Sequence, residues 1–252
     1  MSTTTNSKLL YWSITVSLAG FLFGFDTIVI SGAEQQLSEL WGSYTLFGDA
    51  GLFHGTIVMS MALWGTVIGA LFGGIPTDQM GRKKTLIWIG ILYTVSAFGS
   101  ALVSDPFSFA FFRFIGGLGV GASTIAAPAY ISEIAPAKQR GRLVAMYQFN
   151  LVFGILLAFI SNYLLRDIGE NAWRYMIGIE GIPALIYTIM VLGVPNSPRW
   201  LMAKRNDRTG AKAVLQMLVP EPEAEEMLDA MAAPQPKSTS GVGSSGVQSG
   251  KI

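Results

Sequence analysis

The sequence predicts an all-α membrane protein with six transmembrane helices, on three observations. Of 252 residues, 51% are hydrophobic and only 13% charged, where soluble domains carry about 25% charged residues. Those charges gather in short clusters between long apolar runs. Six of the runs reach the roughly 20 residues that a helix needs to cross a hydrocarbon core.

Taken in order, the first span covers residues 9–31. It is too long for a signal-peptide core, and no small-residue cleavage site follows it. It holds one carboxylate, Asp26, inside FLFGFDTIVISGA. The second span, 52–75, carries Gly65, Gly69 and Gly73. Small residues four apart make a flat stripe on which another helix packs closely. The tight turn GIPTDQMGRKK leads to the third span, 85–103. The fourth, 107–131, contains Arg113 and repeats the small-residue spacing at Gly117 and Gly121. The fifth and sixth spans cover 143–165 and 175–194. Beyond them, 195–233 reads as a helical segment outside the membrane, with one apolar stripe at Ala211, Val214, Leu215 and Leu218. From 234 to 252 the chain is rich in Gly and Ser, a composition that predicts disorder.

Lys and Arg placement sets the orientation, because positive charge accumulates on the cytoplasmic side. With the tail left out, the side of the N-terminal segment 1–8 holds 12 of these residues and the other holds 2, Arg166 and Arg174. Both termini are therefore expected in the cytoplasm, with the spans crossing the cell membrane.

Composition also excludes whole classes. No cysteine means no disulfide, thiolate metal site or cysteine nucleophile. The one histidine, His54, provides no metal site, and no catalytic Ser–His–Asp grouping or carboxylate pair is evident. A net charge of +1 gives no footprint for nucleic acid. GGLGVG lies within an apolar helical run, without the preceding strand of a dinucleotide loop. No enzyme, metal or cofactor is expected.

Asp26 and Arg113 are the charges placed deepest in the spans. Each costs about 2.5–3.5 kcal/mol at a helix centre, so such residues face the interior and pair. A structural ion pair and a functional one both fit that argument. Gln148 in the fifth span likewise reads either as helix-to-helix glue or as a ligand contact, with Leu151 and Ile155 continuing its face.

Several motifs bear a family likeness. The turn before the third span has the G-x-x-x-D-x-x-G-R spacing of the major facilitator signature loop. With GFDTIVISGA, RFIGGLGVG, PAYISEIAPAKQRG and PNSPRWL, the chain resembles the sugar porter family of that superfamily over residues 9–218. The resemblance implies a fold of twelve helices in two halves, each of three-plus-three inverted repeats. This chain matches the N-terminal six, so it would be a half-length or truncated transporter. By the same resemblance it moves a monosaccharide by alternating access, with proton symport. The alternatives are a passive hexose facilitator, or a half-transporter that does not transport and acts as a sensor or assembly partner. The partners implied are sugar, proton and lipid bilayer, with a second half-transporter or another copy of the chain.

Residue roles carried over from the family come in three groups. Asp26 and Arg113 would couple the proton, while Phe23, Gln148, Leu151 and Ile155 would line the sugar cavity. Asp78, Arg82, Glu133, Arg140, Glu180 and Arg199 would form a gate network at the cytoplasmic rim. Two positions depart from the family pattern: Asn196, where an acid is usual, and Gln79, where a base is common.

Overall fold

The computed structural model describes residues 7–232. The expected disordered tail, 234–252, and all but the end of the N-terminal segment 1–8 lie outside the described residues.

Six helical passes are long and apolar enough to span a bilayer. The first is α1 (Ser7–Leu40). The second is assembled from α2 (Ala50–Phe53), a π-helical segment (His54–Met59) and α3 (Met61–Phe72). A short turn of helix, α4 (Gly74–Gln79), leads to the third, α5 (Arg82–Leu102). The fourth and fifth are α6 (Pro106–Ile134) and α7 (Arg140–Leu165). The sixth is split into α8 (Ala172–Gly178) and α9 (Gly181–Leu192). Three short helices follow: α10 (Pro198–Arg205), α11 (Arg208–Gln216) and α12 (Glu221–Ala232).

Two boundaries differ from the sequence expectation. The first helix runs nine residues past the expected end at 31, to Leu40. That extension is amphipathic rather than apolar: Ala33 and Leu37 are buried against Trp41, Phe109 and Trp173. Packing on these rings, not lipid, holds it helical. The sixth pass breaks where Pro183, lacking an N–H, cannot bond the carbonyl of Ile179. The local bonds shorten there, with Ile182 N–H donating to Ile179 O at 3.2 Å.

Burial separates inner from outer helices. In the most apolar stretch, 67% of α1 and 61% of α6 residues are buried, against 22% for the second and fifth passes. The principal packing partners are α1 with α7, α3 with α6, α5 with α6, and α5 with α9. Exchanging passes one, two and three with four, five and six maps the α1–α7 seam onto the α6–α3 seam. The seams share their chemistry as well as their place. A side chain at Gly20 or Gly24 would run into the α7 backbone, and one at Gly117 or Gly121 into that of α3. Backbones approach this closely only where side chains are absent. This is the signature of two inverted three-helix repeats.

Candidate functional site

Because α1 and α6 are the inner helices, Asp26 and Arg113 meet in the core, 5% and 2% exposed. Arg113 Nη1 pairs with Asp26 Oδ1, and Nη2 reaches the Asp26 carbonyl oxygen at 3.4 Å. Glu180 joins them. The gate expectation placed it at the rim, but it sits midway along the sixth pass, between α8 and α9. There it is 1% exposed and within electrostatic reach of Asp26 and Arg113. Its Oε2 has no hydrogen-bond partner among the described residues. Arg113 thus pairs directly with Asp26, and the Glu180 carboxylate lies near that pair without an ion pair of its own among the described residues.

The second cluster forms at one end of the bundle, where α4, α5, α6 and α10 converge. Arg82 binds Asp78 at 3.0 Å and Glu133 at 3.0 Å, and donates to the Thr77 carbonyl at 3.1 Å. Glu133 also accepts from Ser197 Oγ at 2.5 Å, and Ser197 in turn caps α10 through Trp200 N–H at 3.2 Å. Trp200 Nε1 donates to the Asp78 carbonyl at 3.0 Å. Gly81 has φ +92°, and the Trp200 ring occupies the space a Cβ would need. The basic turn is thus clamped onto α10. Arg140 and Arg199 are exposed and make no ion pair among the described residues, so three of the expected gate residues gather and two stand apart.

Along α1 and α7, Phe23, Leu151 and Ile155 are half-buried, and Gln148 is exposed. Gln148 thus does not act as glue between these helices. Residues the sequence did not single out join α7 to α1 and to α6. Asn150 donates to Ser17 Oγ at 2.6 Å, Asn162 to the carbonyls of Ile28 and Val29 at 3.2 and 3.3 Å, and Tyr147 OH lies 3.1 Å from Ser123 Oγ. Polar residues recurring within the apolar fifth run were the available signal.

Residues 12–246 match the family model described as "Sugar (and other) transporter". The chain belongs to the sugar porter family of the major facilitator superfamily. A glucose transport protein of Synechocystis is 40% identical over 80% of this sugar porter chain and 44% of the relative. The D-xylose-proton symporter of Escherichia coli K12 is 35% identical over 87% of the chain and 50% of the relative. Among solved structures, the proton:xylose symporter XylE bound to 6-bromo-6-deoxy-D-glucose superposes with a TM-score of 0.83 at 32% identity. That match covers 90% of this chain and 53% of XylE. The chain spans about half the length of the curated relatives it matches, and its six passes form the N-terminal half of the major facilitator fold. The family and these neighbours are transporters rather than enzymes.

Proposed function

We propose that this chain takes part in proton-coupled transport of a monosaccharide across the cell membrane by alternating access. The observation that carries the reading is the buried trio of Asp26, Arg113 and Glu180. With both carboxylates ionised, the trio holds one excess negative charge in a medium where unpaired charge is expensive. One bound proton makes it neutral. A rearrangement that separates Arg113 from its partners changes how strongly that proton is held, which links proton occupancy to helix position.

Phe23, Gln148, Leu151 and Ile155 would supply part of the sugar's lining. An exposed amide suits this role because each sugar hydroxyl both donates and accepts. The relatives described as glucose and xylose-proton transporters support the substrate class. Arg82, Asp78 and Glu133 would form the gate at the cytoplasmic end, joined by Arg140 and Arg199 in another arrangement of the helices. A second reading, passive facilitation, is favoured by the two bonds Arg113 already makes to Asp26.

The test is uptake of labelled D-xylose and D-glucose by proteoliposomes, with and without an inward proton gradient. Accumulation above equilibrium under the gradient, lost in Asp26→Asn while exchange persists, is the expected result. Equal equilibration with and without the gradient would establish the passive reading instead. Absence of saturable uptake would refute transport by this chain.

A further inference from the structure

A polar cavity of about 400 Å³ opens where the start of α5 meets α10, lined by Lys84, Asn196, Trp200, Leu201, Arg205 and Asp207. Its two cations come from different elements, and neither forms an ion pair among the described residues. Lys84 stands in the first turn of α5, and Arg205 in the last turn of α10. The guanidinium of Arg205 lies over the Trp200 ring at 5.5 Å from its centroid, and Trp200 is itself fixed by its bond to Asp78. The one carboxylate in the lining, Asp207, is engaged elsewhere: its Oδ1 caps α11 by accepting from Gly210 N–H at 2.8 Å. Asn196 contributes an amide and no charge. The recess therefore sets two cations against one carboxylate that is held by the α11 backbone, a net positive charge with hydrogen-bond donors, the chemistry that receives a phosphate.

The surroundings decide which phosphate. Lys84 heads a continuous exposed stripe along α5: Trp88, Ile91, Val95, Phe98 and Leu102. These positions recur at intervals of three and four, so they occupy one helical face. Beside it α9 exposes Ile182, Leu185, Ile186, Ile189 and Leu192, and the chain then leads directly to Asn196. The two helices are packing neighbours. An apolar surface as long as a membrane pass thus ends at a recess holding two unpaired cations.

We propose that Lys84, Asn196 and Arg205 bind the phosphate headgroup of an anionic phospholipid whose acyl chains lie along the exposed faces of α5 and α9. Basic recesses at the headgroup level of transmembrane helices are suited to this because the lipid satisfies charge and hydrophobic contact at once. The lipid would bridge α5 to α10, the same two elements that the Arg82 cluster clamps, and so brace that end of the bundle.

Native mass spectrometry of the detergent-solubilised chain, titrated separately with dioleoyl phosphatidylglycerol and dioleoyl phosphatidylcholine, tests the site. Preferential retention of phosphatidylglycerol is expected, weakened about 30-fold in Lys84→Gln/Arg205→Gln, the equivalent of two interfacial cations. Lys204→Gln removes a charge from the same α10 but not from the recess, and should leave retention unchanged. Equal retention of both lipids, or an equal loss in Lys204→Gln, overturns the proposal. Inorganic phosphate at millimolar concentration should compete poorly, since it lacks the acyl contacts. Displacement of the lipid at equal concentration would reassign the recess to free phosphate and overturn the lipid reading. Thermal unfolding of the double variant in lipid-free detergent should match the parent, which separates lost binding from lost folding.

Discussion

Arg113 has two carboxylate neighbours, and this makes the three residues of the trio unequal. Replacing Asp26 with Asn removes the direct ion pair but leaves the Glu180 carboxylate within electrostatic reach of Arg113, so the buried cation keeps a nearby anion. Replacing Arg113 with Gln leaves two buried carboxylates and no cation. Removing one partner of a buried ion pair typically costs about 3–5 kcal/mol. Arg113→Gln is therefore expected to be destabilised by an amount of this order, and Asp26→Asn by much less. Thermal unfolding in detergent would compare them. Equal destabilisation would show that Glu180 gives Arg113 no support, and would remove it from the site. The ordering also matters for the transport test, because an Asp26→Asn chain that stays folded can report on coupling. Asp26 and Arg113 were legible as a pair because each is a lone charge in an apolar run. Glu180 was not. It carried the same signal, a lone carboxylate inside the sixth span, but the family likeness assigned it to the gate.

At the scale of the element, the two glycine seams make a sharp contrast. A Cβ at Gly117 would meet Thr66 N at 2.9 Å and the Ala62 carbonyl carbon at 3.0 Å, both backbone atoms of the facing helix. Backbone cannot rotate aside, so Gly117→Ala should cost about 1–3 kcal/mol by overpacking. Gly141, at the start of α7, has open space where its Cβ would lie. Gly141→Ala should fall within about 0.5 kcal/mol of the parent. Unfolding midpoints of both variants check this, and similar midpoints would mean that the α3–α6 seam can part without penalty. The α11–α12 pair, outside the membrane passes, responds to pH instead. Arg208 pairs with Asp229 at 2.8 Å and Lys212 with Glu221 at 3.1 Å and with Glu225. The hydrogen bond from Lys212 holds the Glu225 carboxyl below its ordinary value. Its share of the docking is intact above the ordinary carboxylate range and disappears as pH falls through that lowered value. Lys212 is raised first by its bond to Glu225. Its share is intact below the ordinary ammonium value and fades as pH rises through the raised one. Hydrogen exchange over 208–232 should therefore be slowest relative to intrinsic rates between those limits and faster in acid. Acid-insensitive protection would assign the docking to buried Ala224 and Leu228 alone. The six spans and the Gly65, Gly69, Gly117 and Gly121 stripes were readable because hydropathy and small-residue spacing are local. The α1–α7 seam was half readable: Gly20 and Gly24 carry the same four-residue spacing, whereas Gly154 is a lone glycine in the fifth span whose place opposite Phe21 needs the two helices laid together. The extension of α1 to Leu40 was missed because its apolar residues face protein on one side only.

For the whole molecule, the open question is which way the bundle faces. Six passes place α10–α12 on the same side as the start of α1, and the Lys and Arg bias predicts that side to be cytoplasmic. The Arg82 cluster adds a structural reason for charge there: Arg82 and Glu133 are occupied in joining α5 and α6 to α10, so the bias is carried by the exposed residues around them. At the other end, Arg174 is likewise occupied, donating to the carbonyls of Ala101 and Val103 at 2.7 and 2.8 Å. That leaves exposed Arg166 beside Asp167, with little net positive charge to resist translocation. Since the chain has no cysteine, single replacements at exposed positions can read topology without background. Lys138→Cys and Lys204→Cys should be shielded from a membrane-impermeant maleimide in intact cells and react after permeabilisation. Glu170→Cys should react in both. Inverted labelling of all three would reverse the orientation while sparing the six-pass fold. Labelling of Lys138 without Lys204 would break the fold itself, because an even number of passes separates those two residues.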